Sequence, residues 1–155
     1  MAMQQSWRTV ADLLGPRPNV YLIGPDETVL TALGMLAEKN IGVLMVCEGG
    51  RMAGIVSERD YTRKVELLGK TASSTKVREI MTPEVVFVSP SDKVDHCLRL
   101  MRQHKVRHLP VVDNGRVVAV LSTRNVVEEV IREDEHLIQD LQLDRLRMTT
   151  DTGTY

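Results

Sequence analysis

Aromatic residues are scarce in this sequence, at 3% of 155 residues. Because proteins that bind single-stranded nucleic acid stack bases on aromatic side chains, the composition argues against that role. Charge is nearly balanced, with 20 Lys and Arg against 21 Asp and Glu and a formal net charge of −1. Nucleic-acid binding by bulk charge needs a basic surface, and no long basic block is present. We therefore expect no nucleic-acid partner.

Long apolar runs are also missing, and none approaches the roughly 18 residues of a membrane span. The first residues lack the apolar core of a signal peptide, because Arg8 and Asp12 interrupt it. The two cysteines, Cys47 and Cys97, stand apart with no CxxC partner. Such cysteines are typical of buried thiols in a reducing compartment. We therefore expect no membrane association and a cytoplasmic location.

Signatures of catalysis are equally absent. No Ser-His-Asp order, paired-carboxylate arrangement or GxxxxGK[ST] phosphate loop is visible. His104 and His108 are four residues apart, but a predicted strand begins near Val106 and separates them, and a third metal ligand is not evident. We expect no catalytic residues, no catalytic cofactor and no metal site.

The most informative stretch is the sequence GIVSERD at 54–60, which returns as AVLSTRN at 119–125. Each copy ends an apolar, β-branched run and opens an amphipathic segment, which predicts a strand that leads into a helix with Ser at the junction. Two interpretations stay open. Ser57 and Asp60 fit a capping box. Alternatively, unpaired amides at a helix start, with Ser and Arg beside them, form a phosphate site.

The repeat extends well beyond this stretch. Residues 18–60 align with residues 83–125 without a gap, at an offset of 65 residues (119 minus 54). Each half predicts the same succession of elements around that stretch. The first gives a strand over 20–23, a helix after 25–28, strands over 41–47 and 52–56, and a helix from 57 to 68. The second gives a helix over 77–81, a strand over 85–88, a helix after 90–92, strands over 106–112 and 117–121, and a helix from 122. Ten identities lie in register: Pro18/Pro83, Pro25/Pro90, Val29/Val94, Leu33/Leu98, Leu44/Leu109, Val46/Val111, Gly50/Gly115, Arg51/Arg116, Ser57/Ser122 and Arg59/Arg124.

An internal repeat of this kind indicates two related units. Each half has about 60 residues and is marginal alone, so the halves are expected to pack together with pseudo-twofold symmetry. The predicted fold class is α+β (α/β-like), with two tandem β-α-β-β-α units. The predicted boundaries are a first domain over 8–70, a linker over 71–76, a second domain over 77–134, and a C-terminal helix and tail over 135–155.

These features resemble the CBS domain, named for cystathionine β-synthase, which is a β-α-β-β-α unit with a strand-end G-h-h-[S/T]-x-x-D motif. The run RHLPVVD at 107–113 is similar to the family's central strand, and KVREIMTP at 76–83 is similar to the start of one of its repeats. Two such units in tandem resemble a Bateman module of the bacterial stand-alone type. The resemblance covers residues 8–134.

The resemblance implies a non-catalytic, ligand-sensing protein in signal transduction. Bateman modules bind adenosine-containing ligands in the cleft between their two halves: AMP, ADP or ATP, and also NAD(H) or S-adenosylmethionine. They commonly pair as a disc-shaped homodimer, which we expect here. The alternative is a dimeric interaction protein with vestigial nucleotide sites, in which the two serines act only as caps.

Carried over residue by residue, the resemblance implies two sites with the same plan. In the family, the residue at the acidic position binds the ribose hydroxyls, and the serine and nearby basic residues bind phosphate. Adenine lies against apolar residues. The first site takes Ser57, Arg59 and Asp60, with Met81, Thr82, Val86 and Val106 as its wall; the second takes Ser122, Arg124, Asn125 and His108, with Pro18, Tyr21 and Ile41 as its wall.

The two sites depart differently from the family pattern. Asn125 stands where the family has Asp, so the second acceptor lacks a charge. Ala119 stands where Gly is usual, and its methyl group crowds the backbone approach. Val43 stands where the second half has His108, so the first site has one phosphate donor fewer. We predict two unequal sites.

Overall fold

The computed structural model describes residues 8–14, 20–133 and 145. Helices and short strands are mixed in an α+β fold, as the sequence predicts. A π-helical turn at Thr62–Glu66 follows the third helix. The helices are α1 Val10–Leu14, α2 Val29–Lys39, α3 Glu58–Tyr61, α4 Val77–Ile80, α5 Val94–His104 and α6 Thr123–Glu133; the strands are β1 Leu22–Ile23, β2 Val43–Glu48, β3 Arg51–Ser57, β4 His108–Asp113 and β5 Arg116–Ser122.

The internal repeat is visible in the element bounds. Helix α5 begins and ends 65 residues after α2, and strands β4 and β5 follow β2 and β3 at the same offset. Helices α2 and α5 both end on a residue in the left-handed conformation, Asn40 (φ 53°) and Lys105 (φ 55°). Both hairpins turn through a glycine with positive φ, Gly50 at 80° and Gly115 at 78°. The repeat predicted from the sequence is therefore confirmed.

The chain forms two compact units. One is built from residues 8–14, 86–113 and 118–133, and the other from residues 20–85 and 114–117. The family repeats and the compact units therefore divide the chain differently. Helix α4, at the start of the second repeat, belongs to the unit of the first repeat, and α1 belongs to the unit of the second.

The unit of residues 20–85 contains a three-stranded sheet of order β1-β2-β3. Strand β1 runs parallel to β2, and β2 pairs antiparallel with β3 through the tight hairpin. Helix α2 packs on this sheet with one apolar face, because Val29, Ala32 and Leu36 recur at helical spacing and are all buried. The strand ends are thereby fixed against a packed core, and the GIVSERD stretch at 54–60 covers the last part of β3 and the start of α3.

Helix α4 is held in this unit by backbone hydrogen bonds. The Val77 amide donates to the Glu27 carbonyl (2.9 Å), and the Arg78 amide donates to the Pro25 carbonyl (2.9 Å). Beyond α4, Thr82 pairs with Ile55 of β3, and the two residues exchange hydrogen bonds of 3.0 and 2.8 Å. The segment at 81–82 therefore extends the sheet beside β3.

In the other unit, α1 is held in a similar way. The Val10 amide donates to the Asp92 carbonyl (2.8 Å), and the Ala11 amide donates to the Pro90 carbonyl (2.9 Å). Strands β4 and β5 form a two-stranded sheet. Helix α5 buries Val94, Cys97 and Met101 along one face.

Two predicted elements need correction. The predicted strand over 85–88 does not form: only Val88 pairs with β4, through a single parallel bridge to Val111, so too few ladder bonds are made for a strand. The predicted helix from Ser57 to Leu68 changes from α to π after Tyr61 and ends at Glu66, because the turn over 62–66 bonds over five residues and the Leu67 amide donates to the Thr62 carbonyl. Leu68 lies beyond the π-helical turn and is 63% exposed.

Among the described residues, no helix is both long and apolar enough to cross a membrane. The predicted C-terminal helix and tail over 135–155 fall outside the described residues, apart from residue 145.

Candidate functional site

Ser57 and Asp60 form a reciprocal capping box at the end of β3. The Asp60 amide donates to Ser57 Oγ (3.2 Å), while Asp60 Oδ2 accepts from the Ser57 amide (2.9 Å) and the Ser57 hydroxyl (3.0 Å). Both residues are buried, with Ser57 6% and Asp60 5% exposed. The carboxylate is therefore fixed at the helix start by its own neighbours.

Lys64 supplies a third donor to this carboxylate. Its ammonium lies 3.0 Å from Asp60 Oδ1 and donates to the Ile80 carbonyl at 2.8 Å. Ile80 is the last residue of α4, where unpaired carbonyls carry partial negative charge. Lys64 thus connects the helix start to the segment that begins at Met81.

Met81 and Thr82 lie directly over Gly54 on β3. A Cβ placed on Gly54 would stand 2.7 Å from the Thr82 carbonyl oxygen and 2.9 Å from Met81 Sδ. Glycine is therefore required at this point by the close approach of a backbone. Within one compact unit, this contact brings two residues predicted for the adenine wall beside the strand that ends at Ser57.

The second helix start repeats the capping arrangement with an amide. Asn125 Oδ1 accepts from the Ser122 amide (3.1 Å) and the Ser122 hydroxyl (2.8 Å), and the Asn125 amide donates to Ser122 Oγ (3.2 Å). Unlike Asp60, Asn125 is exposed. The same geometry is thus present twice, once charged and buried and once neutral and exposed.

Some amides at the two helix starts are already bonded. The Glu58 amide donates to the Gly42 carbonyl (3.3 Å), and the Thr123 amide donates to the Arg107 carbonyl (2.8 Å), at equivalent positions of the repeat. The amides of Asp60 and Asn125, two residues further on, donate to the hydroxyl oxygens of Ser57 and Ser122. Phosphate binding at either start therefore has to draw more on side chains than the sequence suggests.

The predicted phosphate arginines have different surroundings. Arg124 is exposed, and its Nε donates to Glu128 Oε1 at 3.0 Å one helical turn away. Arg59 is partly buried at the second position of α3. The guanidinium of Arg124 is thus held by a surface ion pair, which is weak in water.

His108 lies at the start of β4, with its Nδ1 buried and without a hydrogen-bond partner among the described residues. Burial, and secondarily the charge of Arg107, lowers the pKa of His108 to about 4. The imidazole is consequently neutral at pH 7. It would meet a phosphate as a neutral donor rather than as a cation.

The predicted adenine-wall residues are divided between the two units. Tyr21, Ile41 and Met81 are partly buried against the core of the unit of residues 20–85. Val106 is buried and Val86 partly buried in the other unit. Pro18 falls outside the described residues.

Sequence reasoning missed two charged side chains near the helix starts. Lys64 follows Asp60 by four residues, and this spacing is a recognisable signal for an ion pair. At the equivalent position of the second repeat stands Glu129, which is 8% exposed and accepts from Arg8 Nη1 at 2.9 Å. Arg8 and Glu129 are 121 residues apart, so no local pattern could have indicated their pairing.

A metal site finds no support in the described part of the chain, where no group of three or more His, Cys, Asp or Glu side chains is arranged to hold an ion.

Comparison with known proteins agrees with the repeat. The family model for the CBS domain matches residues 10–66 and again residues 77–132. The mitochondrial CBS domain-containing protein CBSX3 of Arabidopsis thaliana is 36% identical over 121 residues, which cover 75% of this chain and 59% of that protein. This chain therefore spans less than two thirds of that relative.

Two solved structures are similar in both sequence and fold. A putative signal-transduction protein with CBS domains from Burkholderia ambifaria MC40-6 is 41% identical, with a TM-score of 0.76 over 83% of this chain and 97% of that one. The structure of CBSX2 in complex with AMP is 30% identical, with a TM-score of 0.68 over 80% of this chain and 97% of that one. With both halves matched and the repeat visible in the structure, this chain belongs to the CBS domain family and carries two CBS domains in tandem.

Proposed function

We propose that this protein is a non-catalytic regulatory protein that binds an adenosine-containing nucleotide: AMP, ADP or ATP, with NAD(H) and S-adenosylmethionine as further members of the ligand class. The main support is the acceptor at each helix start. Asp60 and Asn125 occupy equivalent positions, each fixed by a serine cap at the end of a hairpin strand. The crystal structure of the similar protein CBSX2 is of its complex with AMP, which supports this ligand class.

The chemistry of the first site suits a nucleoside. A carboxylate accepts hydrogen bonds from both hydroxyls of a cis-diol, and Asp60 is held in one orientation by its cap. Arg59 follows Ser57 by two residues and offers a fork of donors to phosphate. Met81 and Thr82, the residues predicted for the adenine wall, lie beside Gly54 and are partly buried.

The second site follows the same plan with weaker electrostatics. Asn125 accepts through a neutral amide oxygen, and hydrogen bonds to neutral groups are weaker than those to charged ones. His108 adds a neutral imidazole. We therefore propose that the two sites bind nucleotide with unequal affinity.

A thermal-shift panel with AMP, ADP, ATP, NAD, NADH and S-adenosylmethionine tests this function. A ligand at 100 times its dissociation constant stabilises the folded protein by about 2.7 kcal/mol. At least one adenosine compound should raise the melting temperature, whereas guanosine and cytidine nucleotides serve as controls. Absence of a shift with every adenosine compound would overturn the proposal.

The chain itself supplies a matched variant. Asp60→Asn places in the first repeat the residue that the second repeat uses with the same cap, so folding should be retained. We expect titration calorimetry to show a weakened first site and an unchanged second one. The reverse change, Asn125→Asp, should strengthen the second site. Equal binding by the wild type and both variants would exclude these acceptors from the site.

A second candidate function is that of a dimeric interaction protein with vestigial sites. Its support is that helix capping accounts for the observed Ser57–Asp60 and Ser122–Asn125 contacts. On this alternative, analytical ultracentrifugation finds a dimer whose stability no nucleotide alters. A nucleotide-dependent shift in stability that Asp60→Asn reduces would rule it out.

A further inference from the structure

The Asp60 carboxylate already carries three hydrogen-bond donors. Its Oδ2 accepts two from Ser57, and its Oδ1 accepts the ammonium of Lys64 at 3.0 Å. A carboxylate offers about four lone-pair positions. A ribose diol that donates both hydroxyls would bring the number of donors to five. One of the present donors must therefore give way.

Of the three donors, Lys64 is the least constrained. The Ser57 amide is backbone, fixed between β3 and α3, and the Ser57 hydroxyl is buried with the rest of that side chain. A buried hydroxyl proton without an acceptor is costly. The Lys64 side chain is 42% exposed and sits on a flexible stem.

Lys64 also has a second acceptor. Its ammonium donates to the Ile80 carbonyl at 2.8 Å, at the negative end of α4. If the ammonium leaves Asp60, the Ile80 carbonyl and solvent still accept hydrogen bonds from its N–H groups. Its displacement therefore strands no buried cation.

From this geometry we propose that Lys64 is a positioning residue that competes with the ribose diol for Asp60 Oδ1 and so sets the ribose preference of the first site. The inference rests on the proposed nucleotide function. Lys64 keeps the buried carboxylate paired, and a cis-diol binds by replacing it. A ligand without the second hydroxyl gains less at Asp60 and does not need to displace Lys64.

The second repeat lacks this competitor. The position equivalent to Lys64 holds Glu129, which accepts a hydrogen bond from Arg8. Among the described residues, Asn125 Oδ1 accepts only two hydrogen bonds, both donated by Ser122. An amide oxygen has two lone pairs, so a diol hydroxyl at Asn125 Oδ1 would have to replace a Ser122 donor, not a cation. Competition with a lysine ammonium therefore belongs to the first site alone.

The test compares AMP with 2′-deoxy-AMP by titration calorimetry on the full chain. Both ligands carry the same phosphate, so any attraction between Lys64 and phosphate cancels in the ratio of their dissociation constants. In Lys64→Met, the preference for AMP over 2′-deoxy-AMP at the first site should rise about two- to fivefold, a range that reflects the weakness of a partly exposed ion pair. Lys70→Met, at an exposed lysine of the same unit, removes the same charge and should leave the ratio unchanged.

Two further variants keep the result interpretable. Lys64→Gln retains a donor for Ile80 without the charge and should also raise the ratio, so it replaces Lys64→Met if that protein folds poorly. Ser57→Ala tests the Ser57 hydroxyl as the displaced donor. A rise in the preference for AMP in Ser57→Ala, with no rise in the Lys64 variants, would assign the displacement to Ser57. A ratio that is unchanged or lower in both Lys64 variants overturns the inference. Failure of the wild type to bind AMP overturns the proposed function instead.

Discussion

Gly54 and Thr82 are in direct backbone contact, so that a Cβ on Gly54 would stand 2.7 Å from the Thr82 carbonyl oxygen. The adjacent Ile55 exchanges two hydrogen bonds with Thr82 and holds the two segments at this separation. In the second repeat the same position is Ala119, which is buried. The glycine of the first repeat is thus explained by the space that the 81–82 segment needs.

Gly54→Ala should lower the free energy of unfolding by about 1–3 kcal/mol, because the added methyl group overlaps backbone that cannot move without breaking the Ile55–Thr82 pair. Urea denaturation measures the change. The control is Gly34→Ala in α2, where no heavy atom lies within 4 Å, and which should stabilise the protein by up to about 1 kcal/mol through helix propensity. A Gly54→Ala protein as stable as the wild type would contradict this account.

The two helix caps should differ in their contribution to stability. Ser57→Ala removes the partner of the Asp60 amide in a buried setting and is expected to destabilise the protein by about 1–2 kcal/mol. Ser122→Ala removes the equivalent contact where Asn125 is exposed and water replaces it, so about 0.5–1 kcal/mol is expected. Parallel thermal and urea unfolding of both variants measures the difference. Equal losses would show that burial of the cap does not matter.

His108 should make stability depend on pH. Burial lowers its pKa to about 4 from an ordinary value of 6.5, so between these values the unfolded chain binds a proton that the folded chain does not. The stability is therefore complete above about pH 6.5 and is lost as the pH falls toward 4, by about 3 kcal/mol in all.

Unfolding free energies from pH 4 to 7 measure this dependence. His108→Val, which installs the residue found at the equivalent Val43, should flatten that part of the profile. His104→Gln, at an exposed position of α5, removes one histidine as a control and should leave the slope unaltered. Should the slope persist in His108→Val, another group is responsible.

Cys97 should resist thiol reagents in the folded protein. Burial, with a smaller contribution from Asp92 and Asp95, raises the pKa of the Cys97 thiol to about 12, so almost no thiolate forms at pH 8. Iodoacetamide labelling followed by mass spectrometry should modify Cys97 only in denaturant. Cys47 is partly exposed, and burial also raises its pKa, so it should react slowly but measurably. Rapid native labelling of Cys97 would show that α5 opens readily.

Several sequence-based interpretations remain predictions. These are the homodimer, the cytoplasmic location, the absence of a nucleic-acid partner, the domain boundaries and the individual site residues. The nucleotide panel and the Asp60→Asn and Asn125→Asp variants address the residues on which the proposed function depends most.

The sequence by itself determined the duplication and the elements that follow from it. Apolar periodicity is a local property, and the same pattern read twice at one offset placed α2 with α5, β2 with β4, and β3 with β5. The serine at each strand end is also a local signal, since a cap and its acceptor are three residues apart.

Only the tertiary structure decided what surrounds those serines. The close approach of Thr82 to Gly54, the bond from Lys64 to Ile80 and the pairing of Arg8 with Glu129 join residues 16 to 121 positions apart. Such contacts depend on how α1 and α4 pack, which periodicity does not encode. Whether Asp60 and Asn125 are equivalent acceptors was likewise settled by packing: one is buried with a cation beside it, and the other is exposed.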